Sequence, residues 1–350
     1  MGRWQATSKI DRRRVVDPGL PSEASINDLG CVLLGKHVAC DGVCSNRTVG
    51  VFTHAHDDHI GRLEKGLLWY SRILATPATK DLAIARKGDW LGLRGHLTKL
   101  DFKKRLEIDA ESVTLYPTRH MLGSAQVLVE NREGRRALYT GDFMFPQTPV
   151  IETDLLVLDA TYGHPSNVRR YSREEAIKAL TKLVDNKLKG GPVWISAHFG
   201  KLQEVMNALC EAGVKVPFLI TDFENLRAVK VYEKYGVKMG EYIFGPEGHE
   251  ILSRKESCVV FTKLSYAPPE AKEFVRIRVS GWAEFNGALF QRDEKYYRVA
   301  LSDHADFSET IEYVKQSKPK FVITDDYRGS GAALAEAIKK DLRIEAIKMP

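Results

Sequence analysis

Most of the chemistry this chain can offer sits in one short run, Thr53-His54-Ala55-His56-Asp57-Asp58-His59. The run follows an apolar segment, Val49 to Phe52, and precedes a stretch compatible with a helix. In extended chain, residues two apart point the same way, so His54 and His56 can share one metal ion. If the chain then turns into a helix, Asp58 and His59 swing to the other side and can hold a second. Imidazole and carboxylate are donors that zinc accepts, at about 2.0–2.2 Å. Histidine-rich turns also arise by chance on surfaces, but four donors in six positions at a strand end argue against chance.

Further donors stand at other predicted strand ends. His120 opens the turn His120-Met121-Leu122-Gly123-Ser124-Ala125, and Asp142 follows Thr140-Gly141, where a carboxylate can bridge two cations. Asp41, beside Gly42, is placed to orient a ligand from behind. His304 lies in Ser302-Asp303-His304-Ala305-Asp306, where a helix should begin. Taken alone, His120 or His304 reads as an ordinary surface or core histidine; their weight comes from the ensemble. His37, His96, His164, His198 and His249 fall outside such motifs and are assigned no metal.

The elements that must position these residues change style along the chain. Short β-branched runs predict strands at 48–53, 113–116, 127–130, 137–139 and 155–159. Residues 131–134 predict a hairpin turn and 77–87 a helix opened by its proline. From Ser172, helices at 172–188, 202–212 and from 225 alternate with strands at 193–196, 217–221 and 258–262, the rhythm of a parallel sheet. Near Val275 the short-strand style resumes, followed by a helix at 305–315, a strand at 320–324 and a helix at 331–340. The expectation is a discontinuous domain, residues 1–165 and 277–350, with residues 166–276 inserted into it.

Composition predicts a soluble globular protein with enough apolar mass for a core: 350 residues, 43% hydrophobic and 28% charged. No apolar run approaches the roughly 18 residues a membrane span needs, and the first ten residues lack the apolar stretch of a secretory signal. Five cysteines, at 31, 40, 44, 210 and 258, form no dense framework and fit reduced thiols in a cytoplasm. Cys40 and Cys44 have no second cysteine pair at zinc-site spacing. The net charge of +6 is compatible with a polyanionic partner and with many ordinary enzymes. Arg12-Arg13-Arg14 and Lys103-Lys104-Arg105 read as binding patches or as solvated surface.

The order His-x-His-x-Asp-His, then His120, then Thr140-Gly141-Asp142 resembles the metallo-β-lactamase superfamily. Leu158-Asp159-Ala160-Thr161-Tyr162-Gly163, the Ser302–Asp306 motif and the long insertion between them resemble its β-CASP nucleases. Ala75-Thr76-Pro77-Ala78-Thr79, Gly200-Lys201-Leu202-Gln203 and Ser280-Gly281-Trp282-Ala283 are similar to the DNA-ligase-associated and crosslink-repair exonuclease branch. The resemblance implies a four-layer αββα fold carrying an inserted parallel-sheet α/β lid. It implies one or two zinc ions, with manganese an alternative. His54, His56, His120 and Asp142 would hold the first ion, and Asp58, His59 and the shared Asp142 the second. Asp159 and His304 would form a hydrogen-bonded pair outside the metal shell. RNA-cutting relatives place a further histidine where this chain reads Ile323-Thr324-Asp325-Asp326-Tyr327. Asp325 would substitute as a ligand, or cap the loop.

The implied chemistry is phosphodiester hydrolysis in DNA or RNA, in association with repair or RNA-processing machinery. Zinc lowers the pKa of water from 15.7 toward about 7, but it supplies no proton for the departing oxygen. His304, held protonated by Asp159, is the expected general acid. Asp58, Asp159 and His304 are therefore assigned to catalysis. Gly200-Lys201 at a helix start suits either a phosphate or plain helix-start chemistry. Ser124 and Ser302 are further candidate phosphate donors. A binding partner with a degraded site conflicts with the intact donor set, and a small-molecule hydrolase with the long insertion.

Overall fold

The structure is a computed structural model that describes residues 23–265, 269–281 and 287–350; Arg12 to Arg14, Trp282 and Ala283 lie outside the described residues. The first sheet follows chain order: β1 (Ala24–Ile26), β2 (Val32–Leu34), β3 (Val38–Cys40), β4 (Val49–Val51), β5 (Arg72–Ala75) and β6 (Leu97–Lys99). Helices α1 (Asp57–Ile60) and α2 (Leu63–Trp69) separate β4 from β5, and α3 (Pro77–Lys87) separates β5 from β6. Then come β7 (Arg105–Ile108), β8 (Glu111–Pro117), β9 (Ala125–Asn131), β10 (Arg136–Tyr139) and β11 (Leu155–Leu158). A third group alternates: α4 (Arg173–Leu188), β12 (Val193–Ala197), α5 (Lys201–Glu211), β13 (Phe218–Ile220), α6 (Phe223–Lys234), β14 (Tyr242–Phe244), α7 (Pro246–Ser253) and β15 (Val259–Lys263). It ends with β16 (Val275–Ser280), β17 (Leu289–Gln291) and β18 (Tyr296–Ala300). Finally α8 (Phe307–Ser317), β19 (Phe321–Asp325), α9 (Gly331–Ala337) and β20 (Glu345–Met349) return the chain to the second sheet, whose order is β20-β19-β11-β10-β9-β8-β7.

Period-two alternation builds the layers. Val49, Val51 and Leu74 of the first sheet meet Val113, Val127, Tyr139, Val157 and Ile323 of the second in one buried cluster. The outward neighbours on the second sheet, Leu138, Leu156 and Val322, pack instead with Tyr313 and Val314 of α8 and Leu334 of α9. On the far side of the first sheet, Ile73 and Ala75 pack with Leu63 and Leu82. The outcome is helix, sheet, sheet, helix, with the third sheet and its helices added to one end. Cys40 is a buried strand residue in the inter-sheet core, and all five cysteines are unpaired. Among the described residues no helix is long and apolar enough to cross a membrane.

The structure moves one expected boundary. Residue 277 was to mark the return to the first domain, but β16 pairs with β12 from Val275 onward and with β18, so the third sheet keeps the chain to Ala300. Short apolar runs reveal that strands exist, not which sheet claims them. Ile277 and Val279 pack in the same apolar cluster as Leu180 of α4 and Val205 of α5, which settles it.

Two features aim the fold at a site. Strands β10, β11 and β19 run parallel, so Asp142, Asp159 and Asp325 emerge at one edge of the second sheet. The turn bearing His120 is clamped to the start of α3, where the hydroxyls of Thr76 and Thr79 both donate to the Gly123 carbonyl, at 2.7 and 2.9 Å. Gly123 adopts φ +85°, and a Cβ there would meet the Thr79 nitrogen at 2.6 Å. Gly123→Ala should therefore destabilise the fold by more than about 1 kcal/mol. Gly134→Asn, at φ +78° in open space, should cost little, since asparagine tolerates that backbone region. Urea unfolding of the two variants side by side checks the contrast.

Candidate metal centre and active-site cleft

Past the end of β4 the chain bends at His54 and Ala55, where the sequence suggested extended backbone, and reaches His56, the residue that leads into α1. That turn sends Asp58 and His59 the other way. Around this corner four donor atoms converge. His56 Nδ1 lies 3.1 Å from His54 Nε2 and 3.0 Å from His120 Nε2, and Asp142 Oδ2 lies 3.4 Å from each of those two Nε2 atoms. All four lie within 4.8 Å of one another, a grouping that suits donors about 2 Å from one shared ion, the bond length of zinc to nitrogen or oxygen.

Every ring is fixed from behind so that its inward nitrogen carries a lone pair. A carbonyl can only accept, so His56 Nε2–H donates to the Phe199 carbonyl (2.9 Å) and His120 Nδ1–H to that of Asp303 (3.1 Å). The Thr53 hydroxyl donates to Asp41 Oδ2 and so receives His54 Nδ1–H. Asp41 Oδ2 also takes His59 Nδ1–H at 2.7 Å. Such outward partners are how proteins orient metal-ligating histidines. Burial holds His54, His56 and His120 neutral; with His120 adding its repulsion, His56 is pushed down to about 3.

A second set flanks the first. His59 Nε2 is buried with no hydrogen-bond partner, 3.4 Å from Asp142 Oδ1 and 3.5 Å from Asp58 Oδ2. Asp142 thus offers one oxygen to each set. Burial opposes charging His59, but Asp142, Asp41 and Asp58 together outweigh it and raise its pKa. This corner draws positive charge, as a proton if not as a cation.

His304 stands at the edge of both sets. Its Nδ1 is 2.9 Å from Asp159 Oδ2, whose other oxygen accepts from the backbone and hydroxyl of Thr161, and its Nε2 faces Asp142 Oδ2 at 3.8 Å. The cleft above holds about 490 Å³, bounded by His56, Asp58, Asp142 and His304 on one side and by His198, Phe199 and Gly281 of the third sheet on the other.

The remaining candidates land elsewhere. Lys201 is buried, and its ammonium is taken up by Glu204 and Asp303, so it binds the Ser302–Asp306 motif instead of presenting a free charge to phosphate. Ser124 Oγ accepts from Met121 N–H and Ser302 Oγ from His304 N–H; both close their own turns. Asp325 is not among the converging donors: it caps Tyr327 and Arg328 and pairs with the Arg328 guanidinium at 2.8 Å. Three cleft-side residues, Arg86, His198 and Arg328, went unsignalled, as did Arg173 behind the Ser302–Asp306 motif. Arg173 NH1 donates to the Ser302 carbonyl and Arg328 NH2 to that of Asp41. Only Arg328, three positions after Asp325, could have been paired from sequence.

Comparison with known proteins agrees with this geometry. The metallo-beta-lactamase superfamily profile matches residues 51–189. An uncharacterized protein encoded beside the lig gene of Acidianus ambivalens is 36% identical over 140 residues, covering 39% of this chain and 99% of that protein. The chain belongs to the metallo-beta-lactamase superfamily. Its wider relatives place it in the β-CASP group of that superfamily. An RNase J-like protein of Methanocaldococcus jannaschii is 24% identical over 84% of this chain and 85% of its own length. A probable DNA ligase of Opitutus terrae is 27% identical over 78% of this chain, which spans only 26% of that ligase. The same fold occurs in a protein of unknown function from Enterococcus faecalis, with a TM-score of 0.62 at 15% identity over 88% of this chain and 81% of that one.

Partial burial opposes charging His304, but Asp159 and Asp142 push its pKa up to about 9, from an ordinary 6.5. A raised folded-state pKa stabilises below the unfolded value and is lost as pH rises through the folded one. In metal-free protein, His304→Gln should cost more stability at about pH 6 than at about pH 10. Paired urea titrations at the two pH values check this; equal costs would mean an uncharged ring.

Proposed function

We propose that the chain is a zinc-dependent nuclease that hydrolyses phosphodiester bonds, with DNA exonuclease activity as the leading reading. The observation that carries it is the convergence of His54, His56, His120 and Asp142, with His304 and Asp159 beside it. A divalent cation in that donor set, zinc or manganese, supplies a Lewis acid that acidifies water and neutralises charge on a phosphoryl group. The chain's own residues supply the rest. His304, protonated and aligned by Asp159, faces the cleft through Nε2 and can hand a proton to the departing oxygen. Asp58, with its side chain 63% exposed, can receive the proton lost by the attacking water. His59, Asp58 and Asp142 would hold a second cation with only three protein donors, so the first should bind more tightly.

The third sheet and its helices, roughly the inserted domain expected from sequence, serve as a lid that narrows the cleft to a strand of nucleic acid. The long match to a probable DNA ligase supports a DNA role within or beside repair machinery. The match to an RNase J-like protein over most of both chains favours the second reading, RNA processing. The absence of a membrane-length helix among the described residues and the unpaired thiols support work in the cytoplasm.

Asp142→Asn should lose the bound metal, whereas His304→Ala should retain it and lose about 10²–10⁴-fold in turnover. Metal content by mass spectrometry, read beside digestion of matched end-labelled DNA and RNA strands, tests the division of labour and the substrate together. Equal metal loss in both variants would reject it.

A further inference from the structure

The cleft shares the C-terminal rim of the third sheet with a second recess. On the sheet face opposite α5 and α6, a pocket of about 420 Å³ is walled by Trp194, Leu219, Ile243, Phe244, Leu252 and Val260, with Asp222 and Lys263 at its mouth. That size suits a ring-sized organic group. Trp194 is 5% exposed, and its indole N–H has no hydrogen-bond partner among the described residues. Buried indole donors are normally satisfied. Phe223 is 69% exposed, its ring 4.6 Å from that of Phe244. The two form an aromatic pair held at the pocket's lip.

Pocket and cleft are neighbours by topology. Strand β15 lies between β12, which leads to His198 and Phe199 of the cleft, and β13, which leads to Asp222 and Phe223. Two strand spacings, about 10 Å, separate those ends. A line of charge crosses the ridge between them. Arg86, in the cleft, has Nε 3.0 Å from Glu224 Oε1, and the other Glu224 oxygen takes Lys263 Nζ of the pocket at 2.6 Å. The Arg86 guanidinium also lies 4.4 Å over the Phe199 ring. Glu224 matches both cations, and Asp57 also pairs with Arg86, so what this ridge offers a strand is its aromatic faces, on which the bases of single-stranded nucleic acid stack.

We propose that this pocket receives an unpaired base of the strand whose phosphodiester lies in the cleft, with Phe223 and Phe244 stacking on it. The proposal rests on the nucleic-acid reading above and adds a second contact site to it. It makes the lid a surface that grips the strand without reading its sequence, because every base presents a π-face.

Gly248 of α7 lines the pocket in ordinary helical conformation, and the nearest atoms to a Cβ there belong to Leu219 and Ile243, at 3.5 and 3.8 Å. Gly248→Leu therefore fills the pocket without straining the backbone, and Phe223→Ala removes its exposed lip. Metal-free protein is titrated into fluorescein-labelled oligothymidylate and oligouridylate of about eight nucleotides, read by anisotropy. Bis(p-nitrophenyl) phosphate hydrolysis by metal-loaded protein is measured in parallel. Each variant should weaken strand binding about tenfold and leave the small ester's hydrolysis unchanged. Unchanged binding in both variants overturns the pocket and leaves the nuclease reading intact. Impaired ester hydrolysis in both overturns it as well, by showing that the pocket only shapes the cleft. If wild-type protein binds neither oligonucleotide, the nucleic-acid reading falls and takes the pocket with it. Phe223→Ala keeps the test decisive should Gly248→Leu fold poorly.

Discussion

Three imidazoles are pinned so that their lone pairs point at one another, and much of the molecule exists to hold them there. Lone pairs crowded at about 3 Å repel, and the carboxylates of Asp41, Asp58 and Asp142 add negative charge to the same corner. Burial denies the cluster the water that would otherwise relieve it. The corner therefore favours positive charge, and the same carboxylates raise the pKa of His59. Because the unfolded chain has no such cage, filling it stabilises the folded state.

The supports of that corner come from separate layers. Thr53 and Asp41 belong to the edge of the first sheet, and Asp142 to the second. The Asp303 carbonyl behind His120 comes from the segment after β18, and the Phe199 carbonyl behind His56 from the rim of the third sheet. A ligand of the proposed metal thus leans on the third sheet itself. Arg173 and Lys201, from α4 and α5, meet at Glu204 and Asp303 and tie these helices to the Ser302–Asp306 motif. The position of the third sheet and the geometry of the donor cluster are mechanically one problem.

What was legible in sequence was what is local. The run from His54 to His59, the turn at His120 and the strand-end aspartates announce donors because a strand end is where a side chain can leave the sheet and meet its neighbours. Asp41 could be placed behind the metal from its position before the histidine strand. Lys201 shows the limit of such reasoning. A glycine turn before a helix correctly located a cation, but the carboxylate that claims it, Asp303, lies 102 positions away. Strands β16 to β18 failed for a related reason: their apolar alternation is satisfied equally by either sheet, and only pairing with β12 decides. Arg86 and His198 gave no signal, since their neighbours are assembled by the crossing of α3 with the third sheet.

Asp325 brings these strands together. Where a further donor was expected, the carboxylate faces Arg328, and burial raises its pKa despite that partner. The guanidinium cancels its charge, while its other nitrogen reaches the Asp41 carbonyl. The pair therefore adds no net negative charge near the second donor set, and it braces the residue that orients both His54 and His59. A neutral brace in place of a ligand leaves that set with three donors and an open side toward the cleft. The first set, with four donors and the tighter geometry, does not depend on it. The asymmetry between the two sets follows from one ion pair at the end of β19.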